Sequence, residues 1–187
     1  MSEIAGHAAT LARRHLAEHL PRRWTHVQAV AAKAARLGAE LALERDDADL
    51  LCAAAWLHDI GYSPDIRDTG FHSLDGARWL LDQGLDYRLA ALVAHHSCAS
   101  YEADGRGLGA ELRAEFDREQ SAISDALWFA DMTTGPDGQD FTAEERLAEI
   151  RERYGPDHLV TEFWKAAEQP LLEAIERTKR RLPPQPM

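Results

Sequence analysis

The sequence predicts an all-α fold, a compact single-domain helical bundle, and three observations carry that expectation. Apolar residues recur at helical spacing along nearly the whole chain, and no stretch alternates apolar and polar in the manner of a strand. Prolines, glycines and capping residues punctuate the chain at intervals that suit helices of ordinary length. The 187 residues, 45% hydrophobic and 28% charged, suffice for one domain with a substantial core.

Residues 3–19 read as the first helix. Pro21 suits the start of the second, which runs to about Leu37 and is ended by Gly38. Asp46 or Asp47 caps a third helix through "LLCAAAWLH", closed by Gly61. "YSPDIRDTGF", Tyr62–Phe71, is a loop by its Pro, Gly and Asp content. Ser73 reads as the cap of a helix carrying "LDGARWLLDQ", and after Gly84 comes the short helix "YRLAALVAHH". Residues 99–110, with three glycines and no apolar rhythm, read as a surface loop. A helix around Glu119–Ala130 and a turn at "TTGPDG" follow. Thr142 with Glu145 matches a capping box ahead of "RLAEIRERY". The last helix runs from near Asp157 to about Arg181, with a break expected at Pro170, and "PPQPM" is a frayed tail. The division expected is an N-terminal helix over 1–20 packed on the domain, a core over 21–135, and C-terminal helices of the same domain over 136–187.

Composition excludes several functions. A net charge of −11 argues against duplex nucleic acid as a partner, since such binding draws on Lys and Arg against phosphates. A small phosphorylated substrate stays open, because a metal can supply local positive charge. Cys52 and Cys98 are too few for a disulfide framework and suit reduced thiols. No apolar run approaches the roughly 18 residues of a membrane span, and the first 20 lack a signal peptide's apolar core. The expectation is a cytoplasmic protein with no membrane partner. The long last helix offers a face for a homodimer.

The residues that carry chemistry are scattered. "AWLHDIGY" places His58 and Asp59 where an apolar, Ala-rich run breaks off, and neither group tolerates burial without a partner. Other metal-competent groups stand at His26 in "RWTHVQAV", His72 in "TGFHSLDGA", His95–His96 in "LVAHHSCA" and Asp131 in "LWFADMTTG". Imidazole and carboxylate suit zinc, iron, manganese and nickel. These residues are far apart in the chain, so they meet only if several helices converge, the way bundles build metal sites. His7, His15 and His19 fit a charged surface stretch and His158 a helix start. Trp24, Trp56, Trp79, Trp128 and Phe129 read as core.

The order His…His-Asp…Asp with "HDIG" at its centre resembles the HD superfamily of metal-dependent phosphohydrolases. "VQAVAAKAARLG", "LLCAAAWLHDIG", "FHSLDGARWLLDQG" and "LAALVAHHS" agree with it, over about residues 22–135. The resemblance implies an α-helical bundle of the HD-domain type with His26, His58, Asp59 and Asp131 around a first metal. For a second metal it implies His72 and one of the adjacent pair, of which His96 is favoured, with Asp59 bridging. The cofactor is then one or two divalent ions among Fe, Mn, Zn, Ni, Co and Mg. Asp59 and His95 are the catalytic candidates, His95 as proton donor to the leaving group. The implied activity is a phosphatase or phosphodiesterase acting on a small, nucleotide-like phosphorylated substrate. A di-iron oxygenase on the same fold is one alternative, and a non-catalytic nucleotide-binding or metal-stabilised module is another.

Two departures matter. Many relatives have Lys after "HDIG", where this chain has Tyr62, so Arg67 or Arg78 is the nearest replacement cation. "HHSCASYEADG" does not continue into the Gly-Tyr-Pro signature of the cyclic di-GMP phosphodiesterases, which disfavours that branch.

Overall fold

The structure is a computed structural model and describes residues 2–184. These residues form ten α-helices and no strand, apart from one isolated bridge between Thr134 and Asp140. In order they are α1 (Glu3–Leu16), α2 (Pro21–Glu40), α3 (Arg45–Leu57), α4 (His72–Asp82), α5 (Tyr87–Ala94), α6 (Ala99–Arg106), α7 (Gly109–Glu115), α8 (Ala122–Met132), α9 (Ala143–Tyr154) and α10 (Leu159–Arg181). Short 3-10 turns at Ile60–Tyr62 and His96–Cys98 follow α3 and α5.

The bundle is organised around α3. Leu50, Leu51, Ala53, Ala54, Ala55 and Leu57 are buried on nearly every side of it. A helix apolar all round belongs in the middle, and α1, α2, α5 and α8 pack against this one. A second apolar cluster joins α8 to α9 and α10 through Trp128, Leu147, Ile150, Trp164 and Leu171. Trp24 and Trp56 stack at 5.6 Å on the α1 side, while Trp79 and Phe129 are half-buried against the core. No helix among the described residues is long and apolar enough to cross a membrane.

Several elements differ from expectation, each for a physical reason. Gly38 lies inside α2, where a Cβ would stand 3.2 Å from Ala48 Cβ, so it lets α2 and α3 close up. The helix stops at Glu40, with Ala42 left-handed at φ 49° and the Leu43 N–H returning to the Gly38 carbonyl. Gly61 does not end α3. It sits in the 3-10 turn beyond, where a Cβ would come 2.0 Å from the His72 carbonyl oxygen and 2.6 Å from Gly76 N. The glycines of "HDIG" and "HSLDGA" therefore face each other, and the turn after α3 lies directly on the α4 backbone. Ser73 is not a cap, because α4 begins one residue before it. Asp75 fixes the approach instead, accepting the N–H groups of Asp68, Thr69 and Gly70 at 3.0–3.1 Å and the Thr69 hydroxyl at 2.6 Å.

Residues 99–110 are not a loop. They hold α6 and the start of α7, which bury only Ala99, Glu102, Ala103, Gly109 and Leu112, too few for a visible apolar rhythm. The capping box at Thr142 and Glu145 is present. Pro170 leaves α10 unbroken; packing of Ala167, Leu171, Ala174 and Ile175 outweighs the one backbone bond it deletes. Pro183 and Pro184 follow that helix, and the rest of the expected tail, 185–187, lies outside the described residues. His15 is buried rather than exposed: Nδ1 is 2.9 Å from Asp65 Oδ2 and the ring meets Trp79 edge-on at 4.8 Å.

Candidate metal centre

Five elements of the chain deliver six donors to one buried place. His26 comes from α2, His58 and Asp59 from the end of α3, and His72 from the first residue of α4. His96 comes from the turn after α5 and Asp131 from the last turn of α8. They fall into two triads, His26/His58/Asp131 and Asp59/His72/His96, in each of which one ligand atom per residue lies within 4.8 Å of the others. Contacts between the triads are short: Asp59 Oδ2 is 3.3 Å from His58 Nε2 and 3.9 Å from His26 Nε2.

The backbone sets the tautomers. Nδ1 of His26 lies 3.0 Å from the Gly135 carbonyl, that of His58 2.8 Å from Ala55, and that of His96 2.6 Å from Val93. A carbonyl only accepts, so each Nδ1 carries a proton and each Nε2 is the inward nitrogen, the one that could meet a metal. These nitrogens meet acceptors: His26 Nε2 faces Asp131 Oδ1 at 3.0 Å, and His96 Nε2 faces His72 Nε2 at 3.2 Å. His58 Nε2 is buried with no hydrogen-bond partner. Acceptors packed against acceptors need protons or a cation between them. The donor set, nitrogen and oxygen with oriented imidazoles, fits divalent metal ions.

Burial disfavours charge on His58, yet the Asp59 and Asp131 carboxylates overcome this and hold its pKa up to about 9. Burial works against the ionised Asp59 as well, but Arg23 and His58 keep its carboxyl well below the usual range. Burial pushes His72 and His96 down, so both are neutral near pH 7. A cation at this centre therefore displaces the proton that His58 carries. The expected result is proton release on metal binding and an affinity that rises with pH up to about 9. Titration calorimetry in buffers of different ionisation enthalpy checks this; affinity falling between pH 6 and 9 would contradict it.

Partners outside the six were not visible as such in the sequence. Arg23 Nη1 donates to Asp59 Oδ2 at 2.7 Å, and its guanidinium lies 4.1 Å over the Tyr62 ring. Tyr62 in turn stacks on His72 at 4.0 Å. The cation beside "HDIG" is thus Arg23, one helical turn before His26 and on the same face of α2. Arg67 is exposed on its loop and Arg78 pairs with Glu111 and Glu115 at the surface, so neither replaces the Lys. Ser97 donates to Asp131 Oδ2 from a left-handed backbone at φ 43°, and Cys98 follows at φ 62°. Two such residues in succession are costly and mark a segment held by its surroundings. Lys33, buried on α2, grips the Thr133 carbonyl and Asp140, fixing the turn after Asp131.

His95 does not join the site. Its Nε2 donates to the Phe116 carbonyl at 2.8 Å, its backbone carbonyl accepts from Trp128, and it lines none of the cavity. The role of proton donor expected for it has no geometric support. Asp59, His72, His96 and Asp131 instead open onto a cavity of about 180 Å³, bounded opposite them by α6, α9 and α10. Its wall mixes Arg23, Arg106, Arg146 and Arg153 with Met132, Ile150, Tyr154, Phe163 and Trp164.

A family model described as HD domain matches residues 23–157. No curated protein and no solved structure matches the chain significantly.

Proposed function

Since the chain belongs to the HD domain family, a superfamily of metal-dependent hydrolases, we propose that it is a phosphohydrolase acting on a small phosphorylated, nucleotide-like substrate. One observation carries the reading: two His/Asp triads converge at the floor of an arginine-lined cavity. We propose further that His26, His58 and Asp131 would hold one divalent ion and His72 and His96 a second, with Asp59 within reach of both. Such ions supply Lewis acidity and a water acidified toward neutrality.

The chain's own residues supply the rest. Arg23, next to Asp59, is placed to take a phosphoryl oxygen, the task left open by Tyr62 in place of Lys. Stacking between Arg23, Tyr62 and His72 fixes the guanidinium plane, which suits the two-pronged grip of arginine on phosphate. Asp59 orients the attacking water. With His95 turned away, Glu102 is the one cavity carboxyl outside the six donors; burial pushes it up while the paired Arg106 pulls it down. The aromatic and apolar wall from α9 and α10 receives the organic part of the substrate.

The test is a panel of phosphomonoesters and phosphodiesters with the chain loaded in turn with manganese, iron, zinc, nickel, cobalt and magnesium. Metal-dependent release of phosphate or alcohol is the expected result. Oxygen uptake by an iron-loaded form without ester hydrolysis would assign the same ligands to oxygenase chemistry. Nucleotide binding without turnover under any metal would leave a binding module.

A further inference from the structure

Three arginines, Arg23, Arg146 and Arg153, line two cavities at once: the one over the metal centre and a second of about 300 Å³ on the His19–His26 side. Most guanidinium groups nearby are matched one to one. Arg22 holds Asp137 in a two-pronged pair, Arg106 holds Glu102 and Arg23 holds Asp59. On α9 the pairing is uneven. Glu149 is the one carboxylate for two cations, accepting from Arg146 Nη1 and lying 3.3 Å from Arg153 Nε.

Arg146 is also unusual in its burial, at 5% exposed. Its side chain makes a single hydrogen bond, to Glu149, and its Nε has no partner. A buried guanidinium with unmet donors costs stability, because the water its N–H groups have lost is not replaced. The cost makes sense if something that binds there completes the set. Surplus positive charge, unmet planar donors and open volume on both sides describe a receptor for an anionic group that has chain on either side of it.

We propose that Arg146 and Arg153 bind a second anionic group of the substrate, so that the substrate class is a small molecule with two phosphates rather than one. The inference rests on the phosphohydrolase reading for the first phosphate, which lies at the metal centre beside Arg23. The second lies at the α9 arginines, and the organic part lies along the apolar wall. Discrimination against single phosphates then comes from α9, a helix that supplies none of the six metal-site donors.

The test is calorimetric binding to the purified chain of methylenediphosphonate, which carries two anionic groups and resists hydrolysis, against methylphosphonate, which carries one. The wild-type chain is expected to prefer the first by at least about tenfold, the return on one well-made arginine contact. Arg146→Gln and Arg153→Gln should each reduce that ratio toward one, and Arg146→Lys should restore only part of it, since an ammonium lacks the planar fork. Arg153 is partly exposed, so its variant reports even if removal of buried Arg146 disturbs folding. A ratio near one in the wild type, or a ratio unmoved by Arg153→Gln, overturns the proposal. A preserved ratio with no ester turnover under any metal would remove the hydrolase reading and leave the two-anion site standing. Hydrolysis of simple monophosphates with a ratio of one would do the reverse.

Discussion

Asp59→Ala is expected to lose metal and hydrolysis together, with kcat/KM falling by well over about a hundredfold. The reference is the 10–100-fold typical of losing a partner that only supports a metal ligand; Asp59 stands within reach of both triads. Its Oδ1 is 3.5 Å from His72 Nε2 and its Oδ2 3.3 Å from His58 Nε2. It is also the acceptor that holds Arg23. Removal therefore deletes the charge that lies between the two triads and frees the guanidinium proposed to take a phosphate. Asp59→Asn separates the two effects, because it keeps the size and an acceptor for Arg23 but not the charge. It too should lose metal, since a neutral amide is a poor bridge between two cations. Emission spectroscopy on the variants and turnover at saturating manganese measure the outcome; full metal content with undiminished turnover would contradict it.

Gly61→Ala is expected to have the largest effect on stability. The Cβ would stand 2.0 Å from the His72 carbonyl oxygen and 2.6 Å from Gly76 N, both backbone atoms that no rotamer change can move. Relief requires α4 to shift away from the turn, and α4 carries His72. The cost should exceed about 3 kcal/mol, beyond ordinary overpacking. For a chain of this length that lowers the melting temperature by roughly 6–12 °C. Gly6→Ala is the control: it lies in α1 with nothing within 4 Å of its Cβ position and should gain up to about 1 kcal/mol. Thermal melts of both variants decide it. Equal melting temperatures for Gly61→Ala and the wild type would mean that the two motifs do not touch as described.

The helical class was legible because α3, α5 and α8 carry dense apolar faces that only a bundle can cover. The six donors were legible as residue types, five of them near helix ends and His26 inside an apolar stretch of α2. That His96 rather than His95 faces the centre was not something spacing could decide. The choice is made by the break after Ala94, where the chain turns through left-handed Ser97 and Cys98. Gly38 and Gly61 read locally as helix stops, since a glycine that ends a helix and one that admits a neighbouring backbone look alike in sequence. The helices over 99–115 were hidden by thin burial. Arg23 and Arg146 sit on charged helix faces, where tertiary approach alone separates a site arginine from a solvated one.

The most direct measurement is the number of divalent ions per chain, by native mass spectrometry on protein purified without added metal and again after reloading with manganese. The account predicts that the chain takes up to two ions and that His58→Ala and Asp131→Ala lose them while remaining folded. A folded chain that retains no ion above the buffer background, before or after reloading, would contradict it.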